Sequence, residues 1–167
     1  MRIDIQNIIN GEEFKISLKE NISMNLLALE TKELEFTTPI DINLEIYKVD
    51  KASLYVNGTV DYQCIDVCDR CLNAFNRKAH ENFSGKIIEK EEQEEYEDII
   101  FYHENGKIDI TDMIKTVILY NLPMKTLCDE NCKGICPKCG QNLNEKQCNC
   151  EINDIDPRLS KLENFFK

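Results

Sequence analysis

Six of the nine cysteines fall between Cys128 and Cys150, in the stretch CDENCKGICPKCGQNLNEKQCNC. Its centre is Cys136-Pro137-Lys138-Cys139-Gly140, a C-x-x-C turn closed by glycine. Such a turn aims both sulfurs at one ion, and the glycine permits the positive φ that the turn tends to need. Cys148 and Cys150 follow it and Cys128 and Cys132 precede it. A second knuckle, Cys68-Asp69-Arg70-Cys71, stands far upstream. Any fold open to this chain must gather these four pairs.

Whether the pairs hold metal or disulfides depends on the compartment. The opening MRIDIQNIINGEEFKISL alternates apolar with charged residues and lacks the apolar centre of a signal peptide. No stretch approaches the ~18 apolar residues of a membrane span. The expectation is a cytoplasmic protein without membrane contact, whose thiols stay reduced and serve as metal ligands. An odd cysteine count points the same way.

Zinc in a closed structural site takes four ligands, and thiolates satisfy it. The two histidines, His80 and His103, are not at ligand spacing. Eight cysteines thus predict two all-thiolate zinc sites, with Cys64 left over on an apolar strand face, as a small hydrophobe. Cys136, Cys139, Cys148 and Cys150 can close over one short loop at small entropic cost. That leaves Cys68, Cys71, Cys128 and Cys132 to fasten the C-terminal segment to the upstream knuckle. The alternative joins Cys68 and Cys71 to Cys136 and Cys139, knuckle to knuckle.

The rest of the chain reads mostly as strands. Phe14, Ile16 and Leu18 share a face, as do Ile40, Ile42, Leu44 and Ile46. Between them, 21–32 fits a short helix or irregular core with Met24, Leu27 and Leu29. Asp50-Lys51 reads as a turn. Asn57-Gly58 is a hairpin signal, but Leu54, Val56, Gly58, Val60, Tyr62 and Cys64 all keep one parity. One continuous strand bent at Gly58 preserves a single apolar face, whereas a hairpin there does not. The strand runs into the Cys68–Cys71 knuckle and returns with Phe75, Ala79, Phe83 and Ile87 in phase. Residues 89–98 hold seven acids and one lysine; they read as a solvated loop, dispensable and replaceable by a short turn, with an acidic contact for a basic partner as the other reading. A hairpin at Glu104-Asn105-Gly106 follows. Thr111 or Asp112 then caps a helix bearing Met113, Ile114, Val117, Ile118 and Leu122, which Pro123 ends. Asp156-Pro157 opens a last helix, with Leu159, Leu162, Phe165 and Phe166 on one side.

At 167 residues and 42% apolar content, the chain suits one domain with an appendage. The expected fold class is α+β: an antiparallel, barrel-like sheet with one packed helix and a C-terminal zinc-binding segment. Expected bounds are 1–127 for the sheet domain and 128–167 for the cysteine-rich segment with its helix. A formal charge of −11 excludes a surface given over to nucleic acid. Replacing four thiols by four thiolates and one Zn²⁺ changes the charge by −2, so two sites take −11 to −15. Against this, Arg70, Arg77, Lys78, Lys125, Lys133, Lys138 and Lys146 cluster in sequence near the cysteines. They either screen the thiolates or form a local basic end. The candidates for contact with RNA or a partner are Arg70, Arg77, Lys78, Lys133 and Lys138. Catalysis is not expected: four thiolates leave no open metal position, and no HExxH, phosphate loop or Cys-His pair is present.

The motifs together resemble the bacterial YceD family of large ribosomal RNA subunit accumulation proteins. The resemblance rests on Cys68-Asp69-Arg70-Cys71-Leu72, on Ile108-Asp109-Ile110 before a helix, and on Leu122-Pro123-Met124. It continues through 132–140, Asn142-Leu143-Asn144 and Asp156-Pro157-Arg158. It implies a non-enzymatic role in 23S rRNA accumulation and large-subunit assembly. The implied partner is large-subunit rRNA or a basic ribosomal protein, with no small-molecule substrate. It supplies no catalytic residues. Some members match only at the first knuckle and the Cys128–Cys132 region, which implies that those two pairs share a site. A zinc-ribbon adaptor that binds protein without touching RNA is the alternative.

Overall fold

The computed structural model describes residues 1–29, 32–49, 54–90 and 99–150. The expected Asp50-Lys51 turn, most of the acidic run and the helix after Asp156 lie outside them. The chain divides into two compact units. The first comprises Met1–Asp66 and Phe75–Met124. The second comprises Val67–Ala74 and the chain from Lys125 onward, so the upstream knuckle groups with the cysteine-rich segment.

The strands are β1 (Arg2–Asp4), β2 (Lys15–Ile22), β3 (Leu26–Ala28), β4 (Glu33–Phe36), β5 (Ile40–Lys48), β6 (Leu54–Val67), β7 (Ala74–Glu89), β8 (Ile99–Glu104) and β9 (Lys107–Asp109). The helices are α1 (Gln6–Asn10) and α2 (Ile110–Asn121). The main strand order is β1-β9-β8-β7-β6-β4-β3, with β5 and then β2 branching from β6. The sheet is open and curled like half a barrel. β6 runs unbroken through Asn57-Gly58, as its parity requires. Gly58 sits opposite Leu44, and a Cβ there would collide with the Asn43 carbonyl, so only glycine lets the strands approach. Ile40, Ile42, Leu44 and Ile46 of β5 are fully buried against Val56, Val60 and Cys64 of β6 and against Ile114, Val117 and Ile118 of α2 in one apolar core.

Five expectations need correcting. The sheet is not wholly antiparallel, because β7 and β8 run parallel from Gly85↔Ile99 to Glu89↔His103. Alternation along a strand is the same in either direction, so periodicity carries no sign of this. The described residues of the stretch 21–32 end β2 and contribute a strand, β3, paired with β4, and no helix. A second, five-residue helix, α1, precedes β2 and buries Ile8. Phe14 lies outside β2 and is 77% exposed. Helix α2 also begins earlier than expected. Its N-cap is Asp109, whose carboxylate accepts from the Thr111 N–H at 2.9 Å. The residue before Pro123, Leu122, turns extended and ends it.

The hairpin at 104–106 is present, with Asn105 and Gly106 both at positive φ. Lys90 pairs with Glu104.

The parallel pair sets a demand on the acidic run. From Glu89 the chain must return past the level of Gly85, roughly 13 Å at ~3.3 Å per residue, before β8 starts. A short turn cannot span this. Replacing 91–98 by eight Gly and Ser residues should therefore change stability by less than ~1 kcal/mol. Cutting the run to a two-residue turn should unpair β8 and cost more than ~2 kcal/mol. Urea titration of the two variants separates the outcomes.

Candidate metal centres

The two knuckles have the same backbone. In the first, the Leu72 N–H bonds the Cys68 carbonyl at 2.8 Å; in the second, the Gly140 N–H bonds the Cys136 carbonyl at 2.9 Å. The residue closing each turn has positive φ, 60° at Leu72 and 72° at Gly140. This turn leaves N–H groups pointing at the first sulfur of each pair. At Cys136 the N–H groups of Cys139 and Lys138 outweigh burial and draw the thiol down to about 6. At Cys68 burial opposes ionisation, but the N–H groups of Cys128, Cys71 and Arg70 prevail and bring it down to about 6 as well.

The sulfurs gather into two sets, Cys68, Cys71, Cys128 and Cys132, and Cys136, Cys139, Cys148 and Cys150, each with all its ligand atoms within 4.8 Å of one another. This is the pairing that leaves the local loop closed on itself; the knuckle-to-knuckle alternative is not formed. Both sets lie in the second unit. In the first set Cys68 Sγ is 3.8 Å from Cys132 Sγ, and Cys71 Sγ is 3.7 Å from Cys128 Sγ. Those are too long for a disulfide. They match the edge of a tetrahedron of sulfurs about 2.3 Å from a central ion, roughly 3.8 Å. Cys64 stays apart, fully buried in the apolar core, and burial raises its thiol pKa.

The remaining thiols show what the crowding requires. Burial and the neighbouring thiols Cys68, Cys71 and Cys132 push Cys128 up to about 12. Cys139 and burial do the same to Cys150. Each set thus ionises readily at one sulfur and resists at another, because thiolates this close repel. A soft tetrahedral cation removes the conflict, so the donor chemistry fits a metal ion in both sets.

Residues between the cysteines fasten the two chain segments of the first set. The Asp69 N–H bonds the Thr126 carbonyl at 2.9 Å, and the Thr126 N–H bonds the Asp69 carboxylate at 2.6 Å. Arg70 Nη1 donates to the carbonyls of Cys132 at 3.0 Å and Glu130 at 3.3 Å. The Ile135 N–H bonds the Arg70 carbonyl at 3.1 Å. Asn144, missed as a site residue, lies in the loop between Cys139 and Cys148 and reaches the first set. Its Nδ2 donates to Cys132 Sγ at 3.3 Å, and its Oδ1 accepts from the Lys133 N–H at 2.7 Å. A polar residue between two thiolate pairs carries no spacing rule, so only its place in the recognised Asn142-Leu143-Asn144 run marks it.

The five candidate contact residues are divided between the two units. Arg70, Lys133 and Lys138 lie in the second unit, and Arg77 and Lys78 in the first. Lys78, Lys133 and Lys138 are exposed. Arg77 is an internal cation: its side chain is 13% exposed, it pairs with buried Asp66 at 3.2 Å, and it donates to the Tyr62 hydroxyl at 3.0 Å. His80 pairs with Asp61 at 2.6 Å and His103 is buried in β8, neither in a sulfur set. Among the described residues no helix is long and apolar enough to cross a membrane.

A chain with two four-cysteine sets that could each hold a metal ion, one of them joining an upstream knuckle to a downstream segment, has the donor groups of a metal-stapled sheet protein. The family model for the large ribosomal RNA subunit accumulation protein YceD matches residues 56–166, well over half of the chain and all eight clustered cysteines, and the chain belongs to that family. It is similar to the large ribosomal RNA subunit accumulation protein YCED homolog 1, chloroplastic, of Arabidopsis thaliana, at 26% identity over 90% of this chain and 56% of the relative. It is also similar to the uncharacterized protein ML1660 of Mycobacterium leprae, at 28% identity over 77% of this chain and 60% of the relative. A third relative is the uncharacterized protein YlbN of Bacillus subtilis, at 35% identity over 42% of each chain. The chain thus spans a little over half the length of the first two. No solved structure is similar to it.

Two tests follow. Cys68→Ser and Cys132→Ser should each remove one and the same ion, leaving the one at Cys136 and Cys139; elemental analysis of the single and double variants reads this directly. Asn144→Ala should weaken the first site by about 10-fold, the usual effect of losing an outer-shell partner, in a chelator competition that leaves the second site unchanged.

Proposed function

We propose that this chain is a non-enzymatic zinc-binding factor that supports accumulation of 23S rRNA and so assembly of the large ribosomal subunit. The observation that carries the reading is the pair of closed four-sulfur sets inside the family match. A relative's name, large ribosomal RNA subunit accumulation protein, supplies the process. Zinc is the ion that best suits four thiolates in a tetrahedron with a structural role. Four sulfur ligands leave no coordination site for a substrate, which supports a scaffold and not a catalyst.

A second reading, a protein adaptor without RNA contact, draws on the fate of the cations. Arg77 is held between Asp66, which also pairs with Lys32, and the Tyr62 hydroxyl, and Arg70 is bonded to backbone carbonyls, so two of the five candidate phosphate ligands hold the protein's own structure. Replacing Lys133 and Lys138 by Glu separates the readings in cells. Under direct RNA contact, large-subunit rRNA falls relative to small-subunit rRNA while zinc content holds. Under the adaptor reading the ratio is normal in that variant but falls in Cys136→Ser. A normal ratio in Cys136→Ser and in a strain lacking the protein would remove the rRNA role itself.

A further inference from the structure

The two knuckles differ at one informative position. Gly140 closes the second with φ 72°, the residue that backbone conformation favours. Leu72 closes the first with φ 60°, where a bulky side chain is strained. Leu72 gains no burial in return, since it is 63% exposed. Strain without packing places a side chain where something outside the chain can use it. Ile135, whose N–H bonds the Arg70 carbonyl, is also partly exposed at 37%, and Val67, just before the knuckle, at 50%.

The chemistry of this tip selects the class of partner. Single-stranded RNA is held by aromatic platforms and cationic grooves. The described residues of the second unit contain no aromatic side chain. They carry five basic groups (Arg70, Lys125, Lys133, Lys138, Lys146) against four acids (Asp69, Asp129, Glu130, Glu145), a formal +1. Filling both sulfur sets with a divalent ion as thiolates subtracts two charges per set and gives −3. An aliphatic residue projecting from a mildly acidic, rigidly fastened tip suits an apolar pocket on a basic protein, with the leucine as central anchor.

We infer that Leu72 is the apolar anchor of a protein-docking tip, held out by the first metal knuckle to seat in an apolar pocket of a basic partner protein. The inference rests on the ribosome-assembly reading for where that partner is found. It deepens that reading by giving the contact to protein and assigning it a residue.

The test uses the full chain, immobilised, with two purified probes: total protein extracted from large ribosomal subunits, and protein-free large-subunit rRNA. Benzophenone placed at position 72 reports whether that residue touches the bound species. The expected result is binding from the protein probe, crosslinking at 72, and at least tenfold weaker binding by Leu72→Gly, with Leu72→Met close to wild type. Leu72→Gly should keep both metal ions and an equal or higher Tm, since glycine relieves the strained turn. Equal binding by Leu72→Gly, no binding from the protein probe, or binding to naked rRNA that depends on Leu72 overturns the inference. Loss of metal or a lower Tm in Leu72→Gly also overturns it, because the side chain would then be part of the fold. The rRNA ratio in cells lacking the protein fails or stands independently of these measurements.

Discussion

Repulsion among closely packed sulfurs is the constraint on which the second unit depends. Among its described residues, every buried apolar side chain is a cysteine: Cys68, Cys71, Cys132 and Cys136. Among these residues the sulfur sets stand where an apolar core would, and bonds to an ion held there would take over its role. Burial and the neighbouring thiols raise Cys128, and Cys139 with burial raises Cys150, so neither set favours four thiolates without an ion. An ion bound in either set would add its binding free energy to the folding of the unit. The first unit has its own core of Ile, Leu, Val and Phe and does not share that dependence.

Much of this was legible in the sequence. The parity of Leu54 to Cys64 outweighed the Asn57-Gly58 turn signal, because a hairpin would have turned an apolar face to solvent. Closure entropy and the family resemblance both selected the sulfur pairing. The direction of β8 was not legible, since a strand's alternation reads the same both ways, and neither was α1, too short for a helical period to show. The part played by Arg77 was hidden for a similar reason. Residues alternate along β7, so Arg77 shares its face with Phe75, Ala79 and Phe83, but Asp66 and Tyr62, which pair with it and cover it, lie on β6. A charge count along the chain sees the cation and not its internal partner.

The two residues between the cysteines of the first knuckle carry more structure than metal binding needs. Asp69 clamps Thr126 through two hydrogen bonds and Arg70 ties down the carbonyls of Glu130 and Cys132, so the arms of the first set are held by hydrogen bonds as well as sulfur. Lys138, at the place in the second knuckle that Arg70 has in the first, is exposed. The second set closes within one short stretch and has no separate arm to fasten.

The N-terminal strand has a consequence for synthesis. β1 pairs only with β9 among the described residues, and the Met1 amino group reaches Thr111, 110 residues away. A chain emerging from the ribosome N-terminus first cannot complete that edge until the residues forming β9 have followed. The residues of β1, made well before those of β9, thus wait for their partner. Until then β1 is an unpaired strand, and the backbone groups of β9 complete that edge of the sheet.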